Sequence, residues 1–165
     1  MKINIRNITE NEINYIAKLY VSSIKKAFSK FLLKSTINKF NVEEKELYLK
    51  NIIENKTGDI FIAENIKNKE IIAYIIYNKV SFSNIEIISF YISTECINSS
   101  IGEQLLSYLK KYCAKNSISN VVLWTFKNNI ESIKFYRKLG FYETGLQRGS
   151  RLEIGQIEVQ YLLKI

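Results

Sequence analysis

The stretch Asn98-Ser99-Ser100-Ile101-Gly102-Glu103 has the composition of a loop that can hold an anion. Small residues precede an apolar helical pattern, so several backbone N–H groups at the start of the helix would be free to bind a ligand. The positive end of the helix dipole lies behind those groups, which makes a phosphate a suitable ligand. An ordinary N-cap at Ser99 or Ser100 explains the same residues, so the stretch alone leaves both interpretations open.

The residues that the chain lacks restrict its chemistry further. There is no His, which excludes Ser-His and Cys-His nucleophilic pairs and most catalytic zinc sites. The two cysteines, Cys96 and Cys113, form no CxxC motif. We therefore expect reduced thiols that pack like small apolar side chains, and no metal site.

The balance of charges indicates what kind of partner the surface favours. The 165 residues include 24 Lys and Arg against 16 Asp and Glu, which gives a net charge of +8. Such a surface favours anionic ligands. The basic residues are mostly Lys and are spread along the whole chain, whereas nucleic-acid binding usually shows a clustered stripe that includes Arg. We therefore expect no nucleic-acid partner.

The spacing of apolar residues predicts the elements that position the loop. Residues 2–6 alternate like a half-buried strand, and a capping box at Thr9–Glu12 opens a helix over about 10–28. A second helix runs from a cap at Asn41 to about Glu54. Strands at 60–63, 71–80 and 85–92 follow, and the short turns between them predict an antiparallel meander.

The second half of the chain shows a different pattern. A helix from Ser99 and a short apolar run at 121–126 complete a βαβ unit with the preceding strand. A further helix is capped at Asn128-Asn129 and ends at Gly140. A hairpin over 141–146 and 154–163, turning at Gly149, closes the chain. We expect one α/β (α+β) domain over residues 1–165.

Targeting and membrane signals are the next feature of the sequence. No apolar run approaches the roughly 18 residues that would span a bilayer, and the charged, alternating start is unlike a signal peptide. These features predict a cytoplasmic protein with no membrane partner.

The segment from Asn129 to Phe141 carries the most specific pattern, N-x-x-S-x-x-F-Y-x-x-x-G-F. With this motif and its order of elements, essentially the whole chain resembles the GNAT acetyltransferases. The resemblance implies the GNAT acyl-CoA N-acyltransferase fold. This fold has a central mixed, mostly antiparallel sheet of about seven strands with four helices, and its fourth and fifth strands splay apart.

The resemblance also implies a reaction and a set of site residues. The enzyme would be an acyltransferase with acetyl-CoA as co-substrate and no metal, transferring the acetyl group to a primary amine by direct attack in a ternary complex. Tyr136 would be the general acid for the departing thiolate, and the N–H of Ile92 would stabilise the oxyanion. The cofactor-binding residues would be Phe90, Tyr91, Ile92, Asn98, Ser99, Ser100, Ile101, Gly102, Glu103, Asn129, Ser132 and Tyr136.

The sequence departs from the family pattern at the diphosphate loop, which is Q/R-x-x-G-x-G/A. Ile97 stands at the Q/R position, Ser100 at the first Gly, and Thr94 at the usual Pro after the strand. We expect cofactor binding to persist in weakened form through the N–H and hydroxyl of Ser100. The departures keep open an alternative, a non-catalytic or regulatory CoA-binding module of the same fold.

The acceptor side is the least determined part of the sequence. Glu86 is a candidate general base, but its place on an alternating strand equally fits a surface carboxylate. Four aromatic residues could line an acceptor pocket or belong to the core: Tyr20, Phe28, Tyr77 and Trp124. Arg148 and Arg151 could meet an acidic acceptor or lie on a solvated hairpin tip. The partner is a small-molecule or peptide amine of undetermined identity, and a homodimer, common among relatives, stays open.

Overall fold

A seven-stranded sheet with the order β1-β2-β3-β4-β5-β7-β6 forms the centre of the computed structural model, which describes residues 2–96 and 99–165. Neighbouring strands are antiparallel except β4 and β5, which are parallel. The strands are β1 (Ile3–Asn7), β2 (Gly58–Asn65), β3 (Ile71–Lys79), β4 (Asn84–Ile92), β5 (Asn120–Phe126), β6 (Tyr142–Gly149) and β7 (Ile157–Lys164). This arrangement confirms the predicted mixed, mostly antiparallel sheet.

Five α-helices accompany the sheet in the described residues. They are α1 (Ile13–Phe28), α2 (Lys34–Ile37), α3 (Val42–Glu54), α4 (Ile101–Lys115) and α5 (Ile130–Lys138). The predicted capping box precedes α1, where the Glu12 carboxylate accepts hydrogen bonds from the N–H and the hydroxyl of Thr9, both at 2.8 Å. Four helices were expected from periodicity, and α2 is the addition, because a single turn is too short to show a period.

The helices cover both faces of the sheet and create two apolar clusters. On one face, Leu105 and Leu109 of α4 and Ile133 of α5 pack against the sheet. On the other face, Ile16 of α1 and Leu49 of α3 do so. Because both faces are covered, every residue from 71 to 77 in β3 is buried. Such a strand reads as a continuous apolar run instead of an alternating one.

The closing hairpin differs from the prediction in the position of its turn. Gly149 is the last residue of β6 and pairs with Ile157, so the turn lies over residues 150–156 and not at Gly149. The N–H of Ser150 donates to the carbonyl of Gln156 at 2.8 Å and starts this longer loop. The two cysteines are free and buried, as expected.

No helix among residues 2–96 and 99–165 combines the length and the apolar character of a membrane-spanning segment.

Candidate functional site

The parallel strands β4 and β5 separate part of the way along their length. Within the described strands their pairing covers Asn84–Ile87 and Asn120–Leu123. Beyond that point each strand stays paired on its outer side, β4 with β3 up to Ile92 and β5 with β7 up to Phe126. A wedge-shaped gap therefore opens between two strand edges whose polar groups are available to a ligand. The splay that the resemblance implies is confirmed.

A bulge in β4 turns its backbone towards this gap. The register with β3 shifts where Ile76 faces Ser89 and Tyr77 faces Ile87, so β4 holds one extra residue. Past the bulge, the N–H of Ser93 donates to the carbonyl of Ile72 at 2.8 Å. Successive residues of a strand direct their N–H groups to opposite edges. The N–H of Ile92 is therefore directed away from β3 and towards the gap.

The side chains of Phe90 and Tyr91 lie on opposite faces of the sheet at the gap. Phe90 packs edge-to-face against Phe135 of α5, with ring centroids 5.2 Å apart. Tyr91 stacks on Tyr74 at the same centroid distance, on the face covered by α1 and α3. The gap therefore connects the two faces, with an aromatic side chain on each.

The start of α4 lies at the end of the same strand. The hydroxyl of Ser99 donates to the carbonyl of Cys96 at 2.6 Å, and its oxygen accepts the N–H of Ile101 at 3.3 Å. The Ser100 hydroxyl accepts a hydrogen bond from the side chain of Gln104 at 2.8 Å. Ser100 is thus the N-cap residue without a capping side-chain bond. The N–H of Ile101 is satisfied by the protein itself, which departs from the predicted row of free donors.

Two further residues of the predicted diphosphate loop can be placed. Glu103 is exposed, and its carboxylate pairs with the Lys138 ammonium of α5 at 3.1 Å, which reduces the negative charge beside the helix start. Ile101 is buried, so only its backbone is available to a ligand. Ile97 and Asn98, which the sequence also assigns to this loop, lie outside the described residues.

Gly102 packs tightly between β4 and α5. A Cβ atom added there would lie 2.7 Å from Cδ1 of Ile92 and 3.3 Å from the ring of Phe135. A Cβ here would have to displace the end of the Ile92 side chain and would press on the Phe135 ring, so glycine lets the first turn of α4 approach the gap closely. Gly102 therefore sets the distance between the helix start and the strand end.

The motif residues of α5 include a helix cap, Asn129, and a partly buried phenol, Tyr136. Asn129 is the N-cap, and its side-chain oxygen accepts the N–H of Ser132 at 3.3 Å. Tyr136 packs between Phe135 and Phe141, with ring centroids 5.6 and 5.9 Å away. Burial raises the pKa of Tyr136 to about 12, so this phenol carries its proton at neutral pH.

A cavity of about 390 Å³ lies on the opposite face of the sheet, between α1, α3 and the loop that joins β6 to β7. Its wall includes the rings of Tyr20 and Tyr48, and Lys45 lies between them. The Lys45 Nζ is 3.7 Å from the centroid of Tyr20 and 4.2 Å from that of Tyr48. Tyr20 thus lines a pocket, which was one of its two predicted roles. Lys45 and Tyr48 were missed.

The loop between β6 and β7 is fixed against the segment that precedes α3. The Glu153 carboxylate accepts the N–H of Leu33 at 3.0 Å, and the Gln156 side chain donates to the carbonyl of Phe31 at 3.0 Å. These bonds place Arg151 and Leu152 in the cavity wall.

The remaining acceptor-side candidates take different positions. Tyr77 is fully buried against Phe61 and Tyr112, which makes it a core residue. Phe28 packs on Phe126 with centroids 5.0 Å apart. Arg148 is no solvated tip, because its Nε donates to Glu158 at 2.7 Å and its guanidinium covers the Trp124 ring at 4.1 Å.

Glu86 lies on β4 next to the last paired residue before the gap. It is half-buried, and burial is the main cause that raises its pKa, while the charges of Arg148 and Arg151 lower it. Burial raises the pKa of Tyr48, and the charge of Glu86 acts in the same direction. Glu86 is therefore near two residues of the cavity wall and not a fully solvated surface carboxylate.

Within residues 2–96 and 99–165, no group of three His, Cys, Asp or Glu side chains could hold a metal ion.

Comparisons with known proteins give a consistent fold. The model of the acetyltransferase (GNAT) family matches residues 25–141. The PaiA N-acetyltransferase of Thermoplasma acidophilum, solved with coenzyme A, is 19% identical with a TM-score of 0.81, and the match covers 100% of both chains. The spermidine N-acetyltransferase of Vibrio cholerae, solved with CoA and spermine, is 15% identical with a TM-score of 0.75 over 98% of this chain and 95% of that one.

A further solved structure is of the same kind. The ribosomal-protein-alanine N-acetyltransferase of Brucella melitensis is 18% identical with a TM-score of 0.75, over 98% of this chain and 99% of that one. No curated protein matches this chain in sequence.

Proposed function

Because this chain belongs to the GNAT family of acetyltransferases, we propose that it transfers the acetyl group of acetyl-CoA to a primary amine by direct attack in a ternary complex. The observation that carries the proposal is the gap between β4 and β5, which opens beyond Ile87 and Leu123. It offers two unpaired strand edges to the amide groups of a pantetheine arm, and it joins the α4 face of the sheet to the cavity face.

The residues around the gap fit this co-substrate. Gly102 leaves no side chain between the start of α4 and Ile92, and the positive end of the α4 dipole is there for a diphosphate. The carboxylate of Glu103 is paired with Lys138, which limits its repulsion of phosphate. The Ser100 hydroxyl accepts a hydrogen bond from Gln104, and it could form a hydrogen bond to a ligand in place of this one.

Each step of the reaction has a candidate group on this chain. Bound acetyl-CoA supplies an activated thioester. The N–H of Ile92, directed towards the gap, would donate to the carbonyl oxygen as negative charge develops there. Tyr136 would hold a proton at its hydroxyl for the departing sulfur, and its raised pKa keeps that proton in place until the sulfur is charged in a dry cleft.

Glu86 is the nearest candidate for the proton that leaves the attacking amine. It lies at the mouth of the gap on the cavity side, and burial raises the pKa of its carboxyl towards the range useful to a base. Positioning and electrostatics can then supply most of the acceleration without a protein nucleophile, which suits a chain that has no His.

The test of the general acid is Tyr136→Phe, assayed by thiol release with acetyl-CoA and a panel of amines. We expect kcat to fall about 100-fold, the lower range for general acid catalysis, while the Kd for CoA measured by calorimetry stays the same. Tyr142→Phe is the matched control, since Tyr142 is an exposed tyrosine on β6. Equal turnover of wild type and Tyr136→Phe at every pH would remove this role.

The test of the diphosphate loop is Ser100→Glu. A second carboxylate beside Glu103 at the start of α4 should abolish CoA binding, and unchanged affinity in calorimetry would refute the assignment. Binding of CoA without thiol release from any amine would favour the non-catalytic module instead.

A further inference from the structure

The wall of the 390 Å³ cavity carries an excess of positive charge. Among its described lining residues, three are cationic, Lys39, Lys45 and Arg151, and Glu44 is the one carboxylate. Lys39 and Arg151 are exposed at the rim, whereas Lys45 lies deeper between two tyrosine rings. The cavity is large enough for a small molecule. Its interior therefore favours a small ligand with an anionic group.

The charge of the side chains changes from positive in the cavity wall to negative near the gap. Tyr48 accepts a hydrogen bond from the Asn78 side chain at 2.7 Å, which leaves the phenol proton of Tyr48 for a ligand or a neighbour. Asn78 pairs with Glu86 across β3 and β4, so the residue that Tyr48 contacts has a carboxylate beside it. A molecule that extends from the cavity past Tyr48 would meet cations at one end and an anion at the other.

We infer that the acceptor is a small primary amine that also carries a carboxylate or phosphate group, held by Lys39, Lys45 and Arg151, with its amino group directed past Tyr48 towards Glu86. This inference rests on the proposed function and assigns its substrate class. An amine held in this way lies on the cavity face, opposite the start of α4, and reaches the thioester through the gap.

The surroundings of Lys45 support an anionic ligand. Burial lowers the pKa of Lys45 to about 7, whereas the faces of Tyr20 and Tyr48 favour its charged form. A bound anion would stabilise the ammonium further. The other charged groups around the cavity are Lys39, Glu44 and Arg151, of which Glu44 alone opposes an anion.

The experiment is a thiol-release assay on the full chain with matched pairs of amines at saturating acetyl-CoA. Glycylglycine is compared with glycylglycinamide, and O-phosphoethanolamine with ethanolamine, so that one pair tests a carboxylate and the other a phosphate. Spermidine serves as a polycationic acceptor. We expect at least one anionic member to have a KM about 10-fold below that of its neutral partner, which is the effect of one charge-assisted contact.

Variants then assign that preference to the cavity. Arg151→Gln and Lys39→Gln should each raise the KM of the preferred anionic amine about 10-fold, with kcat and the KM of its neutral partner unchanged. Both side chains are exposed, so neither change should affect folding. Lys111→Gln, the same change at an exposed lysine on α4, is the control and should alter neither KM.

The outcomes separate this inference from the proposed function. Faster release with spermidine or with the neutral amines, or equal effects of Arg151→Gln and Lys111→Gln, would overturn the anionic acceptor and leave the acetyltransferase in place. Thiol release with none of the amines would overturn the proposed function, and the inference with it.

Discussion

Gly102→Ala tests whether the approach of α4 to β4 shapes the gap. The new Cβ would lie 2.7 Å from Cδ1 of Ile92 and 3.3 Å from the Phe135 ring, both closer than ordinary van der Waals contact. Overpacking of this kind costs about 1–3 kcal/mol. Replacing Gly by Ala in a helix returns about 0.5–1 kcal/mol. We therefore expect a net loss of up to about 2.5 kcal/mol in the free energy of unfolding, measured by urea denaturation.

The same substitution should weaken cofactor binding. Ile92 must move to accommodate the methyl group, and its backbone borders the gap, so the Kd for CoA in calorimetry should rise. Ile92→Val removes Cδ1, and the double variant should recover stability, with a coupling energy above about 0.5 kcal/mol in a double-mutant cycle. Gly149→Ala is the control, because no atom lies within 4 Å of its added Cβ. Wild-type stability and wild-type CoA affinity in Gly102→Ala would refute the reasoning.

Two further predictions concern the ion-paired cluster at the start of the chain. The guanidinium of Arg6 pairs with Glu12 at 2.7 Å and with the buried Glu64 at 3.1 Å, so Arg6→Gln should cost about 1–3 kcal/mol by leaving Glu64 with only its longer ion pair to Lys69, at 3.6 Å. Lys50→Gln, at a partly exposed pair with Glu46 within α3, should leave the urea midpoint unchanged and serves as the control. The hydrogen bond from Arg6 holds the pKa of Glu12 at about 2, below its ordinary 4.5, so its contribution is complete above pH 4.5 and is lost as the pH falls towards 2. Circular dichroism between pH 6 and 2 should show this loss in the wild type and a shallower one in Arg6→Gln, and identical acid profiles would contradict the assignment.

The helices and strands of the second half were predictable because their signals are local. The spacing of Leu105 and Leu109, the apolar run of β5, and Gly140 at a φ of 93° each specify an element without reference to the rest of the chain. The turn of the last hairpin was placed wrongly because Gly149 has the composition of a turn, whereas the hydrogen bonds of Glu153 and Gln156 to a distant segment determine where the loop lies.

The acceptor side could not be predicted because it is assembled from distant segments. Lys45 did leave a signal, since it follows Val42 by three residues and precedes Leu49 by four, which places a lysine on the buried face of α3. Arg151 gave no such signal, because basic residues are common in surface loops. The gap was predicted from the family resemblance alone, because the residues of β4 beyond Ile87 have the pattern of an ordinary strand.

Within the described residues, the strand pairing that joins the first four strands of the sheet to the last three covers only Asn84–Ile87 and Asn120–Leu123. A ligand that hydrogen-bonds to the free edges of both β4 and β5 would connect the two halves of the sheet. A free ligand concentration of 100 times the Kd would add about 2.7 kcal/mol to the free energy of unfolding. The amides that flank the gap should then exchange their hydrogens more slowly, and bound acetyl-CoA would stabilise the fold as well as supply the acetyl group.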